Sequence, residues 1–186
     1  KFEFLKKLYR EVLRKCHCYG VKGDKVVDWS GSTIPIEKAG SGNLSLSFPA
    51  ILKPEYGSGS RGIYMLSDER QLKEALLTVS GEAYVLEECV GGEEYGVDGA
   101  VIEGNFYLIL LRRKKITPPP ARQAVGYFSV LPEDSFYGQV RDYMNAIVRC
   151  LGLDECLLHA DIMKTNQGPF AIELSARPSG HYLHNL

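Results

Sequence analysis

The sequence predicts an α+β fold, and three observations carry that expectation. Apolar runs of five to seven residues, bounded by glycine and polar turns, recur from residue 48 onward as in antiparallel strands. Two stretches carry apolar residues at three- and four-residue spacing behind an acidic start, as in amphipathic helices. The composition is that of an ordinary globular domain: 186 residues, 45% hydrophobic and 24% charged. A chain of that size buries a sizeable core, and a net charge of −1 argues against a nucleic-acid or anionic-membrane surface as the main partner.

Residues 2 to 16 place Phe4, Leu5, Leu8, Val12 and Leu13 on one face of a basic amphipathic helix. Residues 20 to 47 are rich in Gly, Ser and Asp and read as a connector, so that 1–47 is expected to be an N-terminal helix and connector. Residues 48–54 and 62–66 read as a hairpin across a glycine-rich turn, and Ser67 as the N-cap of a helix carrying Leu72, Ala75, Leu76 and Leu77 and ending near Gly81. Strands are expected at 83–87, 95–103 and 106–111, with a tight turn at Gly104-Asn105 and then a basic, proline-rich loop from Arg112 to about Gly126. Val140, Tyr143, Met144, Ile147 and Val148 mark a helix over 134–150, and 156–163 and 170–174 a second hairpin. The expected division is a small lobe at 48–90 and a large lobe at 91–186.

Five cysteines without paired C-x-x-C spacing read as reduced, mostly buried thiols in a cytoplasmic protein. Cys16-His17-Cys18 looks like a metal-ligand cluster, but no second cluster completes a tetrahedral site, and the end of a helix is preferred. No run approaches the roughly 18 apolar residues of a membrane span, and the start is no signal peptide.

Gly57-Ser58-Gly59-Ser60-Arg61-Gly62 matches G-x-G-x-x-G. A dinucleotide-binding loop opens into a helix, whereas this one runs into the β-like Ile63 to Leu66. A P-loop carries its lysine after the last glycine, whereas Lys53 precedes the loop by four residues. A flap whose backbone N–H groups close over phosphates, with Lys53 rising to meet the charge, fits the order of residues; a plain flexible hairpin is the alternative. The run Glu87-Glu88-Cys89-Val90-Gly91-Gly92-Glu93-Glu94 stops an apolar strand and restarts it after a glycine pair, as an exposed hinge would. Such a backbone can offer N–H and C=O groups to an adenine edge, and a carboxylate seven residues on can accept from a ribose. Taken alone, these glutamates read as solvated charges.

Asp161 and Glu173 interrupt apolar runs on adjoining strands twelve residues apart with a turn midway, so both can point into one cleft as hard oxygen ligands for Mg²⁺. Arg177 could hold a carboxylate bidentately beside that site or lie in a surface ion pair. His181 reads as surface. Arg112, Arg113, Lys114 and Arg122 stand either near an acceptor site or in a solvated loop.

The order Lys53, Gly57 to Gly62, Glu87 to Glu94, Asp161, Glu173, Arg177 resembles the ATP-grasp superfamily over residues 48 to 181, in particular its carboxylate-amine ligases related to biotin carboxylase and the carbamoyl phosphate synthase large chain. Ile172-Glu173-Leu174-Ser175-Ala176-Arg177-Pro178-Ser179-Gly180 is similar to that family's I-E-x-N-x-R-x-G-G. The resemblance implies an ATP-grasp fold, in which two α+β lobes with antiparallel sheets enclose a nucleotide cleft. It implies Lys53 on the phosphates and Gly57, Ser58, Gly59, Ser60 and Gly62 in the lid. Glu87 would meet the adenine amino group, Glu88 and Val90 would give backbone contacts, and Glu94 would meet the ribose. Asp161, Glu173 and Ser175 would form the metal site, with Lys53 and Arg177 as catalytic residues. A second phosphate lysine is expected among Lys6, Lys7, Lys15 and Lys25. The implied cofactors are ATP and Mg²⁺, and the implied activity is ATP-dependent activation of a small carboxylate, an amino acid among the candidates, for capture by an amine. A homodimer is compatible with the reading; nucleic acid and membrane are not expected as partners. Two residues depart from the family pattern: Asp161 stands where Glu is usual and Ser175 where Asn is usual. The N-terminal Rossmann-like domain such ligases carry is expected to lie outside this chain. A non-catalytic nucleotide sensor and a small-molecule kinase are the competing readings.

Overall fold

A computed structural model describes residues 18–28, 30–39, 42–56, 61–118 and 124–179. The helix expected over 2–16 lies outside them, as do Gly57 to Ser60, Arg122 and His181. The chain divides into two compact units, Lys1–Cys89 and Val90–Leu186.

The first unit is a six-stranded antiparallel sheet in the order β3-β2-β1-β6-β4-β5. Its strands are β1 (Cys18–Lys22), β2 (Lys25–Val27), β3 (Thr33–Pro35), β4 (Ala50–Pro54), β5 (Tyr64–Leu66) and β6 (Ala83–Glu88). The expected hairpin is present, with Ala50 paired to Leu66 and Leu52 to Tyr64. The expected connector is corrected: β1 to β3 lie within residues 18–35 and β1 pairs along its whole length with β6, from Cys18↔Glu87 to Lys22↔Ala83. Val21, Val26 and Ile36 of this stretch, with Tyr19 just before it, are buried with Leu52, Leu66 and Leu86 in one core. Helix α1 (Glu69–Thr78) places Leu72, Ala75 and Leu76 in that core. Its N-cap is Asp68, whose carboxylate accepts from Gln71 N at 2.8 Å, rather than Ser67. Cys18 is buried in β1 rather than ending a helix, while Cys89, Cys150 and Cys156 are only partly buried.

The second unit is a five-stranded antiparallel sheet in the order β11-β10-β7-β8-β9, backed by α2 (Ser135–Leu151). Its strands are β7 (Glu93–Ile102), β8 (Asn105–Ile116), β9 (Ala124–Ser129), β10 (Cys156–Thr165) and β11 (Gly168–Ser175). The turn joining β7 and β8 is Glu103-Gly104, one residue earlier than expected, with φ of 48° and 71°. The loop expected from Arg112 to Gly126 is also corrected. Arg112 to Ile116 continue β8, and Ala124 to Ser129 form a strand paired to it from Ile116↔Ala124 to Arg112↔Ser129. Alternation explains why a basic run can be a strand here: Arg112 and Lys114 turn to one face, Arg113 and Lys115 to the other.

One face of this sheet presents Tyr95, Val97, Leu111, Leu158, Ala160 and Ile162 to the buried face of α2, which carries Phe136, Val140, Met144, Ile147 and Val148. The Tyr95 and Phe136 rings meet at 4.8 Å. Side chains of α2 also satisfy sheet backbone: Asn145 Oδ1 accepts from Phe106 N at 2.9 Å, and Tyr143 Oη from Ala171 N at 2.9 Å. With one face given to α2, residues of opposite parity are left for other work.

The β7–β8 register shifts between Asp98 and Gly99, where Asp98 pairs with Leu110 and Gly99 with Leu108, so that Ile109 is an extra residue in β8 and the bulge sets which residues of β8 share that other face. A Cβ at Gly99 would lie 2.4 Å from Phe106 Cζ and 2.5 Å from the Tyr107 carbonyl oxygen. Gly99→Ala is therefore expected to destabilise the protein by about 1–3 kcal/mol, the range of an overpacked core position. An unchanged urea midpoint would show that the bulge has slack.

Candidate functional site

The face of the second sheet opposite α2 carries an unbroken row of charges. On β7 it presents Glu94 and Asp98 with Gly96 between, on β8 Arg112 and Lys114, on β10 His159 and Asp161, and on β11 Glu173 and Ser175. Register places them side by side: His159 pairs with Asp98 and with Ser175, and Asp161 with Gly96 and with Glu173. The two carboxylates expected to face one another, Asp161 and Glu173, are direct cross-strand partners.

The charges alternate in sign. Arg112 binds Asp98 through Nη2 and Oδ2; Asp98 Oδ1 lies 2.9 Å from His159 Nδ1. His159 Nε2 is 3.5 Å from Asp161 Oδ1. Asp161 Oδ1 is 2.7 Å from Lys114 Nζ, which lies 2.8 Å from Glu94 Oε1. Only 3% of Arg112 is exposed, and its guanidinium also lies 5.2 Å from the centre of the Tyr127 ring. Gly96 lies under the middle of this row, where a Cβ would lie 3.3 Å from Arg112 Nη2 and 3.6 Å from Lys114 Cε.

The row fixes protonation. For His159 burial is the largest influence and opposes the charged form, but its contacts with Asp161 and Asp98 outweigh it and push the imidazole up to about 9. Burial likewise works against the Asp98 and Asp161 carboxylates, and the cations beside them hold both below the usual range. Lys114 is raised in spite of burial, by Asp161 and Glu94. His159, Lys114, Asp98 and Asp161 are therefore all charged on one sheet face at neutral pH.

Asp161 is the candidate cation ligand. Its Oδ1 atom is buried against the Lys114 ammonium and the His159 ring and lacks a hydrogen bond of ordinary geometry. An anionic oxygen in that condition, with Glu173 directly opposite and Ser175 two residues further along β11, is the hard donor set that suits Mg²⁺ completed by phosphate oxygens and water. The residues present fit that ion.

Beside the row, Gly92, Glu94, Lys114, Lys115, Ile116 and Phe128 line a groove of about 490 Å³. Gly92 has φ of 142°, and a Cβ there would lie 2.3 Å from the Lys164 carbonyl oxygen, so the start of β7 cannot carry a side chain at that point.

In the first unit, Lys53 on β4 and Glu87 on β6 form a buried ion pair, 9% and 4% exposed. Ile51, two residues from Lys53, is the register partner of Glu87, which puts the two side chains on one face. Glu87 is therefore not at an exposed hinge, although the boundary between the units does follow Cys89. The Glu88 carboxylate accepts from Ser47 N at 2.9 Å, Val90 is half-buried, and Glu93 is exposed. Gly62 has φ of 72°, with Pro54 Cγ and Tyr84 Oη each 3.1 Å from the place of a Cβ. Arg177 is exposed and donates to the Pro178 carbonyl at 3.0 Å; it is not joined to the charged row. Lys25 is exposed on β2.

Residues 46–184 match the family described as the ATP-grasp domain. The chain belongs to the ATP-grasp family. It is 24% identical over 147 residues to dapdiamide A synthase of Enterobacter agglomerans, covering 72% of this chain and 34% of that protein. It is 25% identical over 156 residues to carnosine synthase 1 of Mus musculus, covering 74% and 19%. The chain thus spans about a third of the first relative's length and less of the other's. The crystal structure of an L-amino acid ligase from Bacillus licheniformis superposes with a TM-score of 0.72 at 19% identity, covering 97% of this chain and 42% of that one. The ATP-grasp architecture expected from the sequence, α+β with antiparallel sheets, is the one observed. Enzymes of this family use ATP with Mg²⁺. Among the described residues no helix is long and apolar enough to cross a membrane.

Sequence reasoning missed Asp98 and left Arg112 and Lys114 in a loop. The signal that could have found them is the glycine at 96, flanked by Glu94 and Asp98 with period two in a strand otherwise apolar.

His159 gives this site a pH dependence. Its value rises from about 6.5 unfolded to about 9 folded, so its contribution to stability is complete below about pH 6.5 and is lost as pH rises through 9. A nitrogen-15 NMR titration of the nucleotide-free protein should show one imidazole, assigned with His159→Gln, titrating near 9. A midpoint at the ordinary histidine value would contradict the ion-pair row.

Proposed function

We propose that this chain is the ATP-binding core of a ligase that activates a small carboxylate as an acyl-phosphate and passes the acyl group to an amine. The observation that carries the proposal is the Asp161/Glu173 cross-strand pair inside a row of fixed charges, in a chain of the ATP-grasp family. An amino acid as the carboxylate substrate is the finer part of the proposal. It draws its support from the likeness in fold to an L-amino acid ligase.

In this reading Lys53 meets the phosphates and Glu87 the adenine amino group, so the buried Lys53–Glu87 pair holds both groups in place before the nucleotide arrives. Gly57, Ser58, Gly59, Ser60 and Gly62 supply the lid, Glu88 and Val90 backbone contacts, and Glu94 the ribose contact. Asp161 and Glu173, with Ser175, hold magnesium, which when bound screens the phosphate charge and orients the γ-phosphate. The substrate carboxylate oxygen attacks the γ-phosphorus as the bond to ADP breaks. The amine then attacks the acyl carbon and phosphate leaves. Arg177, exposed and donating to the Pro178 carbonyl, binds the carboxylate and its acyl-phosphate. The residues position and neutralise charge, and none of them needs to form a covalent bond.

Ser175 in the place of the family's asparagine favours one competing reading, a module that binds nucleotide without turning it over. The test separates the readings. The full-length protein is incubated with Mg-ATP, a panel of amino acids and related acids, and hydroxylamine. Acid-dependent ADP with hydroxamate is the expected result, and Lys53→Met should lower its rate by about 100-fold or more. ADP with a stable phosphorylated product would make the protein a kinase, and tight ATP binding without ADP would make it a sensor.

A further inference from the structure

Lys114 stands on β8 and Asp161 on β10, with β7 between them. Adjacent strands lie nearly 5 Å apart, so the lysine and the aspartate together bridge about 10 Å of sheet. They do so over Gly96, which is in register with Asp161 on one side and Arg112 on the other. The lysine ammonium ends 2.8 Å from Glu94 Oε1 and 2.7 Å from Asp161 Oδ1, with 11% of the side chain exposed. A lysine gives up much rotamer freedom to be held in this way, and its charge occupies the carboxylate that the preceding reading assigns to the metal.

We propose that Lys114 is a built-in counter-ion that holds Asp161 while no nucleotide is bound, so that a divalent cation takes this carboxylate only together with phosphate oxygens. The inference rests on the metal role given to Asp161 above. Its physical ground is a comparison of two states. A divalent ion arriving alone would find carboxylates from Asp161 and Glu173, too few for an ion that prefers six oxygens and sheds water reluctantly. It would also displace Lys114 into a position beside a like charge, with Glu94 as the remaining partner named here. A polyphosphate changes both conditions, because its oxygens complete the coordination of the metal and offer the ammonium a new anion. The metal therefore enters with the nucleotide and not ahead of it.

The direct experiment contains no nucleotide. Mn²⁺ is titrated into the full-length protein and into Lys114→Met, and free Mn²⁺ is read by electron paramagnetic resonance. Removing the lysine should tighten Mn²⁺ binding by about tenfold or more, a gain of about 1.4 kcal/mol. Equal affinities would overturn the proposal. A second measurement needs no variant and decides the matter if Lys114→Met does not fold. The side-chain ammonium signal of Lys114, followed by nitrogen-15 NMR in the native protein, should stay in place on adding Mg²⁺ alone and move on adding Mg²⁺ with a non-hydrolysable ATP analogue. Movement with Mg²⁺ alone, or no movement with Mg²⁺ and the analogue, would overturn it. Ligation is read separately by hydroxamate, so either proposal can fail while the other stands.

Discussion

The position of Asp161 on the open face of the second sheet is the constraint on which the rest of the site depends. A carboxylate with a buried, poorly bonded oxygen is costly unless cations stand beside it. Here Lys114 and His159 do so, and each needs an anion of its own, which Glu94 and Asp98 provide. Asp98 in turn binds Arg112. The alternation of sign follows from one buried charge propagated across three strands. The low dielectric that makes each unpaired group expensive also makes the completed row rigid.

The fold supplies the geometry for this row at little cost. With α2 covering one face, every second residue of β7, β8 and β10 is free to be polar. The uninterrupted β7–β10 ladder keeps Asp98 in register with His159. Two glycines help the remaining positioning: at Gly96 the Arg112 and Lys114 side chains pack closely over β7, and Gly92, without room for a side chain, lets the chain pass against the Lys164 carbonyl. The same economy holds in the first unit, where Lys53 and Glu87 neutralise each other on neighbouring strands.

Much of this was legible in the sequence, for physical reasons that differ by residue. Asp161 and Glu173 stood out because charge inside an apolar strand is rare, and a short turn between two strands fixes their register. The helix at 135–151 was legible from its 3.6-residue period. Strand β8 beyond Leu111 was not, because a strand with charges on both faces has no alternation to read: Arg112-Arg113-Lys114-Lys115 looks the same as a solvated run. Strands β1 to β3 are three to five residues long and were hidden among glycines and serines. Their burial depends on pairing with β6, which local pattern does not encode. The inward turn of Glu87 was obscured in the same way, since its partner Lys53 lies on another strand.

The central claim is that Asp161 stands at a magnesium-nucleotide site for which the surrounding charges are arranged. Calorimetric titration of ATP into the native protein and Asp161→Asn, once with Mg²⁺ and once with a chelator, tests it most directly. The account predicts that the substitution weakens Mg-ATP binding by about tenfold or more and leaves metal-free ATP binding unchanged or tighter, because a negative charge has gone. Equal loss with and without the metal, or no loss in either, would contradict it.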